Sequence, residues 1–136
     1  TYKRIDMKTL KMLRVLFAAL SLLFMVFAFS PAFTGTRPDW IMIAILILFV
    51  VMIPSSMVGR IKMEKFPEML PSSGMIKFNI IYGAVLAVAS AVCVVVRLVQ
   101  DLSPWMFLAA VFVFSHIAVN NIIHYRIKKN SGEGQA

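Results

Sequence analysis

Four long runs of apolar residues divide the chain, and short polar stretches separate them. A run of 19 residues, such as 40–58, forms a helix of roughly 28 Å, close to a hydrocarbon core of about 30 Å. Backbone amides find no water inside lipid, so runs of this length must be helical. The pattern predicts four transmembrane helices over residues 12–33, 40–58, 78–96 and 104–124.

Proline and its neighbours predict how these helices begin and end. Pro38 stands where a first helical turn tolerates proline, and Ser103-Pro104 is typical of an N-cap followed by proline. Pro54 should kink the second helix or end it. The connections are short, so we expect consecutive helices to be antiparallel neighbours. The predicted fold is an all-α integral membrane protein with one four-helix domain over residues 1–136.

The composition supports a membrane protein. Hydrophobic residues make up 60% of the chain, against about 45–50% in soluble domains. The chain has 14 Lys and Arg but 6 Asp and Glu, an excess that in a soluble protein would suggest nucleic acid. Here the basic residues flank apolar runs, where they contact lipid headgroups. We therefore expect a lipid bilayer as partner, and no nucleic acid.

The basic residues also predict an orientation. Twelve of them lie in the N-terminal arm, in the loop 59–77 and in the C-terminal tail, whereas Arg37 and Arg97 alone lie in the other two connections. By the positive-inside rule, both termini and the loop 59–77 are cytoplasmic. Trp40 and Trp105 begin helices on the opposite face, as an aromatic belt would. We expect a multi-pass protein of the plasma membrane, such as a bacterial inner membrane.

The first apolar run has a second interpretation. A basic head, an apolar stretch and Ser30-Pro31-Ala32 resemble a secretory signal with a small-residue cleavage site. We expect a retained span instead. Because the chain starts with Thr1 rather than Met, we also expect residues upstream of it.

Motifs for catalysis are absent from the sequence. No predicted span contains Asp or Glu, and there is no glycine-rich phosphate loop, histidine-carboxylate motif or nucleophile elbow. Cys93 is the only cysteine, so no disulfide forms within the chain. We expect no enzyme, no cofactor and no metal site.

The fourth run carries the polar residues Ser115, His116, Asn120 and His124. The last three recur every four residues and so share one helix face. Ionisable residues at this depth normally face a protein interior or a wet cavity. One interpretation is a proton or solute pathway, and the other is hydrogen bonding between helices. With no carboxylate predicted in the membrane to pair with a histidine, the sequence favours the structural interpretation.

Two further groups of residues are candidates for contact with partners. On the third helix, small residues spaced by four permit close helix packing, within the chain, with a second copy or with another protein: Asn79, Gly83, Ala87 and Ala91. In the loop 59–74, charged and apolar residues alternate, which suits either the inner leaflet or a cytoplasmic partner. Its candidate contacts are Arg60, Lys62, Lys65 and Phe66.

These observations predict two functional classes. The first is a non-catalytic subunit or assembly factor of a larger membrane complex, bound to another membrane protein or to copies of itself. The second is a small oligomeric transporter or channel that uses the polar face of the fourth helix. Small multidrug transporters resemble the chain in having four short helices, but their first helix carries a membrane glutamate, and residues 12–33 contain no acidic residue. The sequence favours the first class.

The orientation predicts opposite accessibility for two residues. A cysteine at Thr36 should react with an impermeant thiol reagent added to intact cells, because Thr36 lies in an outer connection. A cysteine at Ser73 should react only after the membrane is opened. Reaction of the Ser73 variant from outside would reject the topology.

Overall fold

The computed structural model describes residues 7–30 and 39–132, and this part of the chain is all-helical. All four long helices are long and apolar enough to cross a membrane, as the hydrophobic pattern predicts. The helices are α1 (Met7–Phe29), α2 (Trp40–Met63), α3 (Ser73–Val99) and α4 (Trp105–Gly132), with a 3₁₀ turn at Pro67–Met69 before α3.

Side-chain caps begin α2 and α3. Asp39 accepts a hydrogen bond from the Met42 amide at 3.2 Å, and Ser72 accepts one from the Met75 amide at 3.3 Å. Each cap satisfies an amide that has no partner within its own helix. The start that was predicted around Pro38 lies outside the described residues, as do Thr36 and Arg37.

The prediction for Pro54 is wrong where it allows the helix to end there. Helix α2 continues through Pro54 to Met63. A proline removes one backbone hydrogen bond, whereas ending a helix inside lipid would expose several amides and carbonyls. The loop 59–77 is correspondingly shorter, because only residues 64–72 separate α2 from α3.

Helix α4 lies at the centre of the molecule. All its residues from Phe107 to Lys129 are buried or half-buried, and both α1 and α3 pack along it. Helix α2 packs more thinly, and Leu46 is its one buried residue. Among the described residues, α2 and α3 do not form a packed pair. Contact between consecutive helices is therefore extensive for α3 and α4 and slight for α1 and α2, and α2 and α3 do not pack against each other in the described part of the chain.

Aromatic rings join α1 to α4. The Phe24 ring stacks on Trp105 and on Phe112, with centroids 5.9 and 5.4 Å apart, and Phe17 lies 6.0 Å from Phe112. Two apolar clusters continue this interface: Met25, Phe29, Leu46 and Ala109 form one, and Leu10, Val119 and Ile123 form the other.

Helices α3 and α4 approach each other closely at Gly83. A Cβ atom on this residue would lie 3.0 Å from the Phe114 carbonyl oxygen and 3.2 Å from the Ala118 amide nitrogen. Both atoms belong to the α4 backbone, which cannot turn aside as a flexible side chain can. Glycine therefore sets the spacing of the two helices.

The packed face of α3 follows a seven-residue repeat. Its buried residues are Ile76, Gly83 and Ser90, whereas Ala91 is exposed. Steps of four residues drift by about 40° each on a helix, so Ala91 is turned about 120° away from Asn79. Steps of seven drift by only about 20°.

The close approach predicts that substitution of glycine by alanine lowers stability at Gly83 but not at Gly59. Gly83→Ala should lower stability by about 1–3 kcal/mol, because the new methyl group pushes α3 from α4. Gly59→Ala is the matched control, since nothing lies within 4 Å of its Cβ position on α2. It should be neutral or slightly stabilising. Thermal unfolding in mild detergent measures both, and equal effects would place the α3–α4 contact elsewhere.

A buried charged cluster and the cavity beside it

Arg14 is the centre of a charged cluster between α1, α2 and α4. The residue is only 3% exposed. Its Nη1 donates hydrogen bonds to a carboxylate oxygen of Glu64 and, at 3.1 Å, to the Asn120 side-chain oxygen. A guanidinium in this position needs a counterion, because desolvating an unpaired charge is costly. Glu64 supplies that counterion.

Glu64 reaches the cluster because α2 is longer than the apolar pattern indicates. It caps the C-terminus of α2, where its amide donates to the carbonyls of the last turn. Its side chain is only 8% exposed. The His124 Nε2 atom lies 3.4 Å from the Glu64 carboxylate, which is an electrostatic contact slightly longer than a good hydrogen bond. A carboxylate thus lies between an arginine and a histidine.

His116 joins the cluster through the backbone of α1. Its Nδ1 lies 2.9 Å from the carbonyl oxygen of Arg14. A carbonyl only accepts hydrogen bonds, so Nδ1 carries a proton in this contact, and in the neutral ring Nε2 is then an acceptor. The contact orients the imidazole relative to α1.

Two buried nitrogen atoms of the cluster remain without a hydrogen bond. Among the described residues, Arg14 Nε and His124 Nε2 have no partner of adequate geometry. Buried polar atoms are usually satisfied, and exceptions concentrate at functional sites or where water enters. The cluster is therefore only partly satisfied by protein groups.

A cavity of about 240 Å³ adjoins this cluster between α1, α2 and α4. Its polar lining residues are Ser21, Ser56, Arg60, His116 and Asn120. Its apolar lining residues are Met25, Phe49, Met52, Ile53, Val113 and Ile117. This volume is large enough for several waters or for a small organic molecule. His116 and Asn120 belong to both the cluster and the cavity wall.

The structure brings three of the four polar residues predicted on α4 into this region. His116, Asn120 and His124 all contact Arg14 or Glu64. Ser115 is half-buried elsewhere on the helix. Asn121 is buried too, but its amide donates to the Ile117 carbonyl of its own helix at 2.8 Å.

The other predicted contact residues lie apart. On α3, Asn79 and Ala87 are half-buried beside the Gly83 contact with α4. Of the four candidates between residues 59 and 74, only Arg60 lines the cavity. The remaining three, Lys62, Lys65 and Phe66, are exposed.

The sequence predicted only that Arg14 and Glu64 lie in cytoplasmic segments, and it did not predict that they form a buried ion pair. Arg14 stands inside an apolar stretch, where a charge is expensive, and this was the available signal. For Glu64 the signal in the sequence was weaker. Glu64 follows Arg60 by four residues, a spacing that places two side chains on one helix face only if α2 continues past Pro54.

Comparison with known proteins leaves the site to be interpreted from its geometry. No protein-family model, curated protein or solved structure matches the chain. Within residues 7–30 and 39–132, no group of three His, Cys, Asp or Glu side chains is placed to hold a metal ion.

The ion pair predicts a large loss of stability from one substitution. Arg14→Gln should cost about 3–5 kcal/mol, because it leaves the Glu64 carboxylate buried without its counterion. The double variant Arg14→Gln/Glu64→Gln should recover most of that loss. Thermal unfolding of the purified protein in mild detergent measures both.

Lys11→Gln is the matched control on α1, since Lys11 is exposed and its charge is solvated. This variant should be close to wild type. A double variant no more stable than Arg14→Gln would contradict the assignment of Glu64 as the counterion.

Proposed function

We propose that this chain is a small membrane protein of the transporter or channel class, and that its solute site is the cavity between α1, α2 and α4. One observation supports this most: the cavity and the charged cluster share two residues. His116 and Asn120 line the cavity, and both contact Arg14, which pairs with Glu64. Contacts thus run without a break from the cavity to a buried carboxylate.

The chemistry of the cluster fits such a role. The sequence favoured a structural role for His116 because it predicts no carboxylate in the membrane, but on the same helix face His124 lies 3.4 Å from Glu64. A carboxylate and an imidazole at this separation interact electrostatically, and a slightly closer approach would bring them within reach of proton transfer. Charged side chains in membrane segments commonly mark ion or solute pathways. Structural hydrogen bonding alone would not require a cavity of about 240 Å³ beside these groups.

We propose the orientation with both termini and the connection between α2 and α3 on the cytoplasmic side of the plasma membrane. The distribution of basic residues supports it. Arg14 near the start of α1 meets Glu64 at the end of α2 and Asn120 in the second half of α4. These contacts support antiparallel pairing of α1 with both helices. The cluster then lies toward the cytoplasmic side.

A second candidate function is a non-catalytic subunit or assembly factor. The thin packing of α2 favours it, because all its residues except Leu46 keep part of their surface accessible. In an assembly, a helix of another membrane protein or of a second copy would cover α2. We propose no enzymatic role in either case.

The proposed cavity predicts which face of α2 water reaches. In a Cys93→Ser background, Ser56→Cys should react with small charged thiosulfonates in membranes, because Ser56 lines the cavity. Ser55→Cys is the matched control. Ser55 is exposed and lies at nearly the same depth, but it does not line the cavity, so lipid should cover it. A charged reagent enters hydrocarbon only at a high free-energy cost, and the reaction at Ser55→Cys should therefore be slower by at least about tenfold.

Two results would contradict the solute site. Equal reaction rates at Ser55→Cys and Ser56→Cys would mean that water reaches every face of α2 at this depth. No reaction at either position would mean that the cavity is closed to water, and the subunit role would then be the better interpretation.

A further inference from the structure

The two arginines of this region differ in how their charges are balanced. Arg14 is paired with Glu64. Arg60 lines the cavity, and among the described residues no carboxylate lies within ion-pair distance of its guanidinium and no group accepts a hydrogen bond from it. With both histidines neutral, Arg14, Arg60 and Glu64 together leave one positive charge unbalanced.

The cavity wall around Arg60 is otherwise suited to an anion with an apolar body. The hydroxyl of Ser56 and the amide of Asn120 can donate hydrogen bonds to an anion. No carboxylate lines the cavity among the described residues, so nothing there repels a negative charge. Apart from Ser21 and His116, the rest of the wall is built from methionine, phenylalanine and branched aliphatic side chains.

From this geometry we infer that the cavity binds a small amphipathic anion, whose charged end pairs with Arg60 and whose apolar body lies against the wall of α1, α2 and α4. The inference rests on the proposed solute site. Guanidinium is the cation that best fits carboxylate and phosphate groups, because its parallel N–H groups bind two oxygens at once. The volume of about 240 Å³ limits the enclosed part to a few carbons. A free carboxylate and the headgroup of an anionic lipid share this chemistry.

The first experiment compares two ligands of equal chain length and opposite charge. Purified protein in mild detergent is unfolded thermally with hexanoate or with hexylammonium. Hexanoate should raise the midpoint by about 3 °C, because it binds the folded state alone. Hexylammonium should not, because Arg60 repels it.

Variants assign the effect to Arg60. Arg60→Gln should fold at least as well as wild type without ligand, since it removes an unpaired charge rather than the partner of one. It should also lose the response to hexanoate. Lys62→Gln is the matched control, because Lys62 lies on the same helix but is exposed and outside the cavity. This variant should keep the response.

A lipid arm distinguishes the two sources of the anion. The protein is unfolded in nanodiscs of phosphatidylcholine, with and without phosphatidylglycerol. If a free carboxylate is the ligand, hexanoate stabilises the protein in both discs. If an anionic lipid occupies the cavity, phosphatidylglycerol stabilises wild type but not Arg60→Gln, and hexanoate adds nothing to it.

Three results would overturn the inference: equal stabilisation by hexylammonium, a hexanoate or phosphatidylglycerol effect that survives Arg60→Gln, or no effect of either anion. These results are separate from the test of the solute site, because labelling of Ser56→Cys reports access of water whatever the charge of the ligand.

Discussion

The ion pair between Arg14 and Glu64 is the constraint on which the arrangement of the helices depends. Two buried charges are tolerated only together, because each alone would carry a large desolvation penalty. Their pairing holds the first turns of α1 against the end of α2, and the hydrogen bond from Arg14 to Asn120 ties α1 to α4. Helix α2 has little other packing in this region, so this contact fixes its register.

The position of α4 follows from the same physics. It is the helix with the most polar residues in its interior, and it is also the most enclosed. Lipid tails are as apolar as leucine, so hydrophobicity does not decide which helix lies inside. Close packing and polar contacts decide it: Gly83 admits α3 to one face of α4, and Arg14 binds another.

The cluster and the cavity beside it contain polar atoms and one charge that protein groups do not satisfy among the described residues. A structural cluster would be expected to satisfy its own polar atoms, but Arg14 Nε and His124 Nε2 lack hydrogen-bond partners among the described residues, and Arg60 lacks a counterion there. Of these three residues, Arg60 lines the cavity, which is large enough for water and a solute, and Arg14 is joined to the cavity wall through Asn120. In the proposed site, a bound anion would balance the charge of Arg60.

The sequence by itself determined the four helices, because a backbone in lipid must satisfy its hydrogen bonds locally and apolar length alone reports this. It also singled out His116, Asn120 and His124, since helical periodicity is a local property. Only the tertiary structure decided that α2 continues past Pro54, and so that Glu64 meets Arg14 across 50 residues of chain. It also decided that Ala91 leaves the packed face. Such pairings depend on which helices become neighbours, and no local pattern encodes that.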